Sequence, residues 1–306
     1  MKKTRLTFMA MILTASPLIL AHQTPTPGSS SSATPAATPQ AAPQGKRPPQ
    51  AKTQAEFDAY QAAIANVRDA AAMDKASHDF ATKFPQSDLR VLLFRGAMNS
   101  YQNANNADKM MEMGRQILAL DANDPEALLG VAQVLAERTR DTDLDKDQRL
   151  DEASTMAEHA IEAIDTDISA PAATPPEKID AYKKFLRSTA YSVIGTIQFN
   201  REKYVDAEAS LRKSIAADPT QPDPVAVLRL ALALDKQDKY PEALKEANQA
   251  VELTKDGTNL GTTARRERDR LAQLTGSATA PAPAVPPTAA PGSTAPNGAP
   301  SDPHKP

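Results

Sequence analysis

Between residues 53 and 275 the large and small apolar positions recur at steps of three and four: Phe57, Tyr60, Ala63, Ile64 and Val67 open the series. Such spacing lays one apolar stripe along a helix, and no alternating run of useful length suggests a strand. Helix formers dominate and glycine is sparse, so the pattern predicts an all-α domain. One helix is predicted to start at about Glu177 and to run unbroken through Ile179, Tyr182, Leu186, Ala190, Val193 and Ile197. A helix of that length either bends an array of helices or fills its groove. The last segment, 262–274, combines Ala264, Leu271 and Leu274 with four arginines and reads as a solvated helix that ends the array.

The helical pattern is also repetitive. Tyr191, Ile194-Gly195, Ala207, Leu211 and Asp218-Pro219 form one unit; Val227, Leu230-Ala231, Leu234, Tyr240, Ala243, Ala247 and Ala250 form the next. In both, a small residue precedes the alanine of the second helix by twelve positions. Met98 and Met110 repeat that step in a unit with Phe94, Tyr101, Ile117 and Leu120. A unit opening at Asp124-Pro125-Glu126-Ala127 continues through Leu128, Val131-Ala132 and Leu135, and Ala132 follows Met98 by 34 residues. Going back 34 residues reaches Ile64, with Tyr60 before it and Ala76 and Phe80 after. The 34-residue period and the large-x2-Leu-Gly, Ala-x3-Phe, Pro pattern resemble the tetratricopeptide repeat (TPR) family. The resemblance implies a right-handed superhelix of about five helix pairs with a C-terminal capping helix. Two departures interrupt it: 21 residues separate Ala132 from Ala153, and the stretch 168–178 breaks the array.

Proline marks the limits of this domain. Of 26 prolines, seven fall between residues 25 and 49 and nine between 281 and 306. These flanks hold little large apolar surface, and segments of that kind cannot offset the entropy of ordering. Residues 22–52 and 276–306 are therefore expected to be disordered arms around a repeat domain at 53–275. Ahead of them, Lys2, Lys3 and Arg5 precede an uncharged run from Leu6 to Ala21, the layout of a secretory signal. Pro17 and the short run favour cleavage and a periplasmic or extracellular protein with no membrane insertion afterwards. Ile19, large for a cleavage position, keeps open a membrane tether by an uncleaved segment. Removing residues 1–21 takes away three cations and no acid and moves the formal charge from -3 to -6. An acidic chain has no general attraction for nucleic acid. The absence of cysteine rules out disulfides, thiolate zinc sites and thiol catalysis.

The sharpest chemical pattern is the acidic insertion at 139–150 and its flank, where Asp141, Asp143, Asp145 and Glu152 have the oxygen-ligand spacing of a calcium loop. Lys146 stands where that loop needs glycine, so the competing reading is a solvated insertion ahead of a helix. His78 and His159 lie far apart, and no metal-ligand, nucleophile or phosphate-cradling motif occurs, so neither cofactor nor catalysis is expected. The resemblance implies instead a concave groove lined by first helices, binding an unidentified protein or peptide. Its geometry points inward Arg95, Asn99, Gln102, Leu129, Gln133, Ser192, Thr196, Phe199, Leu228 and Leu232. Amides and hydroxyls there suit a peptide backbone, and the leucines and Phe199 suit an apolar side chain. Where a chaperone-tail clamp needs a cation and an asparagine, the unit after Arg95 and Asn99 offers Glu126 and Gly130, which disfavours such tails. The alternatives are a calcium-modulated scaffold and an enzyme or carbohydrate-binding protein using the groove.

Overall fold

The computed structural model describes residues 46–171 and 173–276. The expected signal segment, most of the expected N-terminal arm and the expected C-terminal tail lie outside these residues. Among the described residues there are eleven helices and no strands: α1 Gln54–Ile64, α2 Ala70–Lys83, α3 Leu89–Asn103, α4 Ala107–Leu120, α5 Pro125–Arg138, α6 Lys146–Ala163, α7 Pro176–Asn200, α8 Tyr204–Ala217, α9 Pro224–Asp235, α10 Tyr240–Leu253 and α11 Asn259–Leu274. Successive helices pack on one another, and first helices also meet across units, α5 on α7 and α7 on α9. The result is a TPR-like superhelix of five helix pairs closed by α11.

Local chemistry sets each start and stop. Thr53, Asp69, Asn106, Asp124, Asp223 and Thr258 each accept a backbone N–H from the first turn of the helix they precede, which satisfies donors that have no intrahelical partner. Pro125, Pro176 and Pro224 stand at first positions, where a missing N–H costs nothing. Inside three of the pairs the turn is the same. Asn105, Glu202 and Asp238 take positive φ, and the following residue donates to the carbonyl of Tyr101, Gln198 or Leu234. This left-handed residue closes a helix and reverses the chain within a few positions. Val67, counted in the α1 stripe by spacing, lies beyond α1 in its turn and is half exposed.

Packing is continuous but changes in kind along the array. The N-terminal core holds Met73, Met98, Met110 and Met113 with Phe80, Leu93 and Phe94. The C-terminal cores are built from Ala207, Ala231, Ala243 and Ala247 with Leu211, Leu230 and Leu234. At Gly195 an added Cβ would lie 2.6 Å from Leu211 Cγ, so α7 and α8 approach as closely as glycine allows.

The stretch 46–52 runs along the array rather than away from it. Lys46 pairs with Asp121 at 2.5 Å and lies 3.8 Å from Asp167, whereas Lys52 donates to the carbonyl of Gln86 at 2.7 Å. These partners lie just past the ends of α4, α6 and α2, so the chain crosses three inter-unit turns before entering α1. Glu56 anchors that entry, accepting from the Lys52 backbone and from the Ser87 hydroxyl.

Candidate partner-binding face

The first helices, expected from the resemblance to line the inner face, differ between the two halves of the array. In the N-terminal half Arg95 on α3 donates to Asp124, the N-cap of α5, and its Nε lies 3.2 Å from Glu126 without hydrogen-bond geometry. Asn99 donates to Glu126 Oε1 at 3.2 Å, and the Tyr182 hydroxyl of α7 donates to Oε2 at 2.9 Å. Three first helices thus meet in one polar cluster. Burial opposes the charge of Arg95, but Asp124 and Glu126 outweigh it and hold the guanidinium above its usual range. Burial, reinforced by Glu126, pushes the Tyr182 hydroxyl well up. Tyr60 on α1 is also raised by burial, with Arg95 working the other way.

The same half is filled from within. The 25-residue α7 lies against α5 from Tyr182, which reaches Glu126, to Asn200, which donates to the Ala136 carbonyl at 2.9 Å, and Tyr182 and Phe185 pack onto the core around Leu129. The cavity left between Asn99, Gln102, Leu129, Gln133, Phe185 and their neighbours is about 20 Å³, roughly room for a single water.

In the C-terminal half Ser192 donates to Asp223 at 3.4 Å, and Thr196 donates to the Ser192 carbonyl at 2.7 Å. Arg229 on α9 donates one N–H to Thr196 Oγ1 at 2.5 Å. Among the described residues no carboxylate lies within 4 Å of Arg229, and burial lowers its pKa, with Glu137 and Asp223 opposing at longer range. Phe199 meets Tyr204 edge-on at 5.4 Å. Both line a cleft of about 390 Å³ with Thr139, Arg140, Asn200 and Glu202.

The ten residues that sequence pointed inward therefore divide. Leu129, Ser192, Thr196 and Leu228 are buried between helices. Arg95 and Asn99 are engaged by Asp124 and Glu126. Gln133 donates to Glu137 at 3.1 Å, and Gln102, Phe199 and Leu232 keep partial exposure. Sequence reasoning missed Tyr182 and Arg229 as parts of this face. Arg229 did leave a signal, being the one basic residue within the apolar helix PVAVLRLALALD.

The acidic insertion does not converge. Asp141 pairs with Lys146 at 2.8 Å, Asp143 accepts from the Arg140 backbone at 2.9 Å, Asp145 precedes α6, and Glu152 pairs with Arg115 of α4 at 2.8 Å. Among the described residues no three His, Asp or Glu side chains are grouped to hold a metal ion. His78 pairs with Asp74 and meets Phe94 edge-on, and His159 meets Asn123. No described helix is long and apolar enough to cross a membrane.

No protein-family model and no curated protein matches the sequence. Solved structures do. The chain is similar to pilF of Pseudomonas aeruginosa, with a TM-score of 0.50 and 16% identity over 73% of this chain and 87% of that one. Similarity extends to PilW, a type IV pilus biogenesis factor (0.49, 19%, 74% and 88%). It also extends to TTC0263, a TPR protein of Thermus thermophilus (0.45, 15%, 69% and 98%). At these identities the likeness is one of fold alone, the TPR-like superhelix of helix pairs described above.

Proposed function

We propose that this protein is an exported, non-enzymatic scaffold that binds another protein or peptide on the open, C-terminal part of its concave face. The observation that carries the reading is the contrast in cover. The chain's own α7 lies over the α3–α5 face, while Phe199 and Leu232 remain partly exposed on α7 and α9. Side chains that offer backbone-pairing groups beside apolar contacts suit an extended chain. The N-terminal charge pattern and apolar run support export, with His22 the expected first residue of the mature protein.

A photo-crosslinking residue placed at Leu232 should capture a partner in cells, and one at Asn248, on the exposed side of α10, should not. Equal capture from both positions would argue against the groove. N-terminal sequencing of the fractionated protein tests export separately: a chain beginning at Met1 in the cytoplasm would sink that part.

A further inference from the structure

We infer that Arg229 is the recognition point for a carboxylate side chain of the partner, so that the open face selects an extended peptide with an acidic residue beside an apolar one. This deepens the groove reading above and rests on it.

A guanidinium on a helix face that is otherwise apolar carries a cost. Val225, Leu228 and Leu232 flank Arg229 on α9, and only Thr196 accepts from it. Taking a cation partly out of water without a counter-charge is unfavourable, and proteins ordinarily pair it. This chain does so elsewhere. Arg95 on α3 receives Asp124 and Glu126 from the following first helix, and Arg270 on α11 receives Asp235 and Glu267. Arg229 receives neither. Its other nitrogens make no hydrogen bond among the described residues and are not fully buried. A planar guanidinium with donors to spare matches a carboxylate in two parallel hydrogen bonds.

The surroundings add direction. Lys236, just past the end of α9, and Arg266, one turn before the Arg270 that pairs with Asp235, also lack a carboxylate within 4 Å among the described residues. Arg229 itself is answered by acids only at longer range, from Glu137 and Asp223. Phe199, three residues after Thr196, opens the cleft whose other wall is Thr139 and Arg140. A peptide with its acid on Arg229 would bring a neighbouring side chain to Phe199. Glu137 acts on Arg229 at longer range, as Asp223 does, and Glu137 also accepts from Gln133 at 3.1 Å.

Selection of a displayed library of random peptides on the full mature chain, with Arg229→Gln and Glu137→Gln run in parallel, tests this. The wild type should enrich peptides carrying Asp or Glu next to a large apolar residue. Arg229→Gln should lose the acidic preference and keep the apolar one, with affinity for a selected acidic peptide falling about tenfold or more. Arg229→Lys should retain part of it, and Glu137→Gln should tighten binding. In the wild type, affinity should fall with added salt, and in Arg229→Gln this dependence should flatten. Peptides enriched without acidic bias, or with the same bias on Arg229→Gln, would overturn the carboxylate assignment and leave the groove standing. No enrichment on any variant would overturn both. Acidic peptides bound only after removal of residues 277–306 would assign the face to the chain's own tail and overturn partner recognition.

Discussion

The two halves of the inner face place the same side chain in opposite circumstances. Arg95 and Arg229 both project from first helices, and both are largely removed from water. Arg95 is met by Asp124 and Glu126 of the next first helix and is covered by Tyr182 of the one after. Arg229 is met by one hydroxyl. The difference lies in the segments downstream of each arginine. After α3 the chain supplies an Asp N-cap and a Glu in the first turn of α5, and it then lengthens α7 to lie over both. Beyond α9 and α10 comes the cap α11, whose Glu267 is taken by Arg270 and whose Asp269 is taken by Arg268. A superhelix gains rigidity where it pairs its own charges, and where it does not, a cation is left with donors to spare.

Breaking the closed half should have the largest effect. Arg95→Leu leaves Asp124 buried without its cation, and removing one partner of a buried pair costs roughly 3–5 kcal/mol. Chemical denaturation should record that loss. A cost below roughly 1 kcal/mol, the worth of an exposed pair, would show that the cluster is not what holds the N-terminal half.

The cores should respond differently to added volume. Gly195→Ala puts a methyl 2.6 Å from Leu211 Cγ and 2.9 Å from its Cδ2, atoms fixed between two helices. Overpacking of that kind costs roughly 1–3 kcal/mol. Gly96→Ala meets only the terminal methyl of Met73, at 2.7 Å. An unbranched thioether can move aside, and alanine is the better helix former, so that change should be near neutral. Thermal melts of the two variants sharpen the comparison; equal losses would show that the methionine-rich core is as rigid as the alanine-rich one.

Acid should weaken both halves. The Ser87 hydroxyl holds the Glu56 carboxylate below its usual range. For Glu208 burial pushes up, but donors from Lys239, Gln237 and Arg212 together hold it down. A carboxyl depressed in the folded state adds stability that is fully present above its unfolded pKa and is lost as pH falls through the folded one. The melting temperature should therefore hold at neutral pH and decline below about pH 4, the ordinary carboxylate range. Glu56→Gln and Glu208→Gln should each lower the neutral value and flatten the decline. An unchanged slope in either variant would remove that residue from the account.

Much of the fold was legible because it is local. The Asp-Pro starts, the twelve-residue step and the 34-residue period are written along the chain, and they give helix pairs wherever small residues fall at the close approaches. Legibility fades toward the N-terminus for a packing reason. Met98 and Met110 fill with flexible side chains the places where Gly195 and Ala207 bring helices together, so the signature is lost while the architecture survives. The inner face was harder to read. Glu126 looked unsuited to a partner's tail, and its role emerges only when stacking brings Arg95, Asn99 and Tyr182 around it from three first helices. Ser192 and Thr196 lie on the side of α7 that the resemblance assigns to the groove, but Asp223 and Arg229 of the neighbouring unit cover them. Repeat periodicity fixes which way a residue points within its own helix. It does not say what the next unit lays across it.

The smallest stability effect is the most diagnostic of the difference between the halves. Arg229→Leu removes a cation that no carboxylate balances and replaces it with a side chain suited to the surrounding Val225, Leu228 and Leu232. Exchanging a poorly compensated buried charge for apolar volume is neutral or stabilising, so the unfolding free energy should stay level or rise by about 1 kcal/mol. Loss of the Thr196 contact works against this, because a hydrogen bond to a charged group is worth roughly 1.5–3 kcal/mol. Thr196 still donates to the Ser192 carbonyl, however, and keeps a partner. The same substitution should abolish salt-sensitive binding of acidic peptides. A variant that is more stable and no longer binds would mark Arg229 as a residue kept for a partner. A loss comparable to that of Arg95→Leu would instead place it in the scaffold, and the two halves would then differ in cover alone.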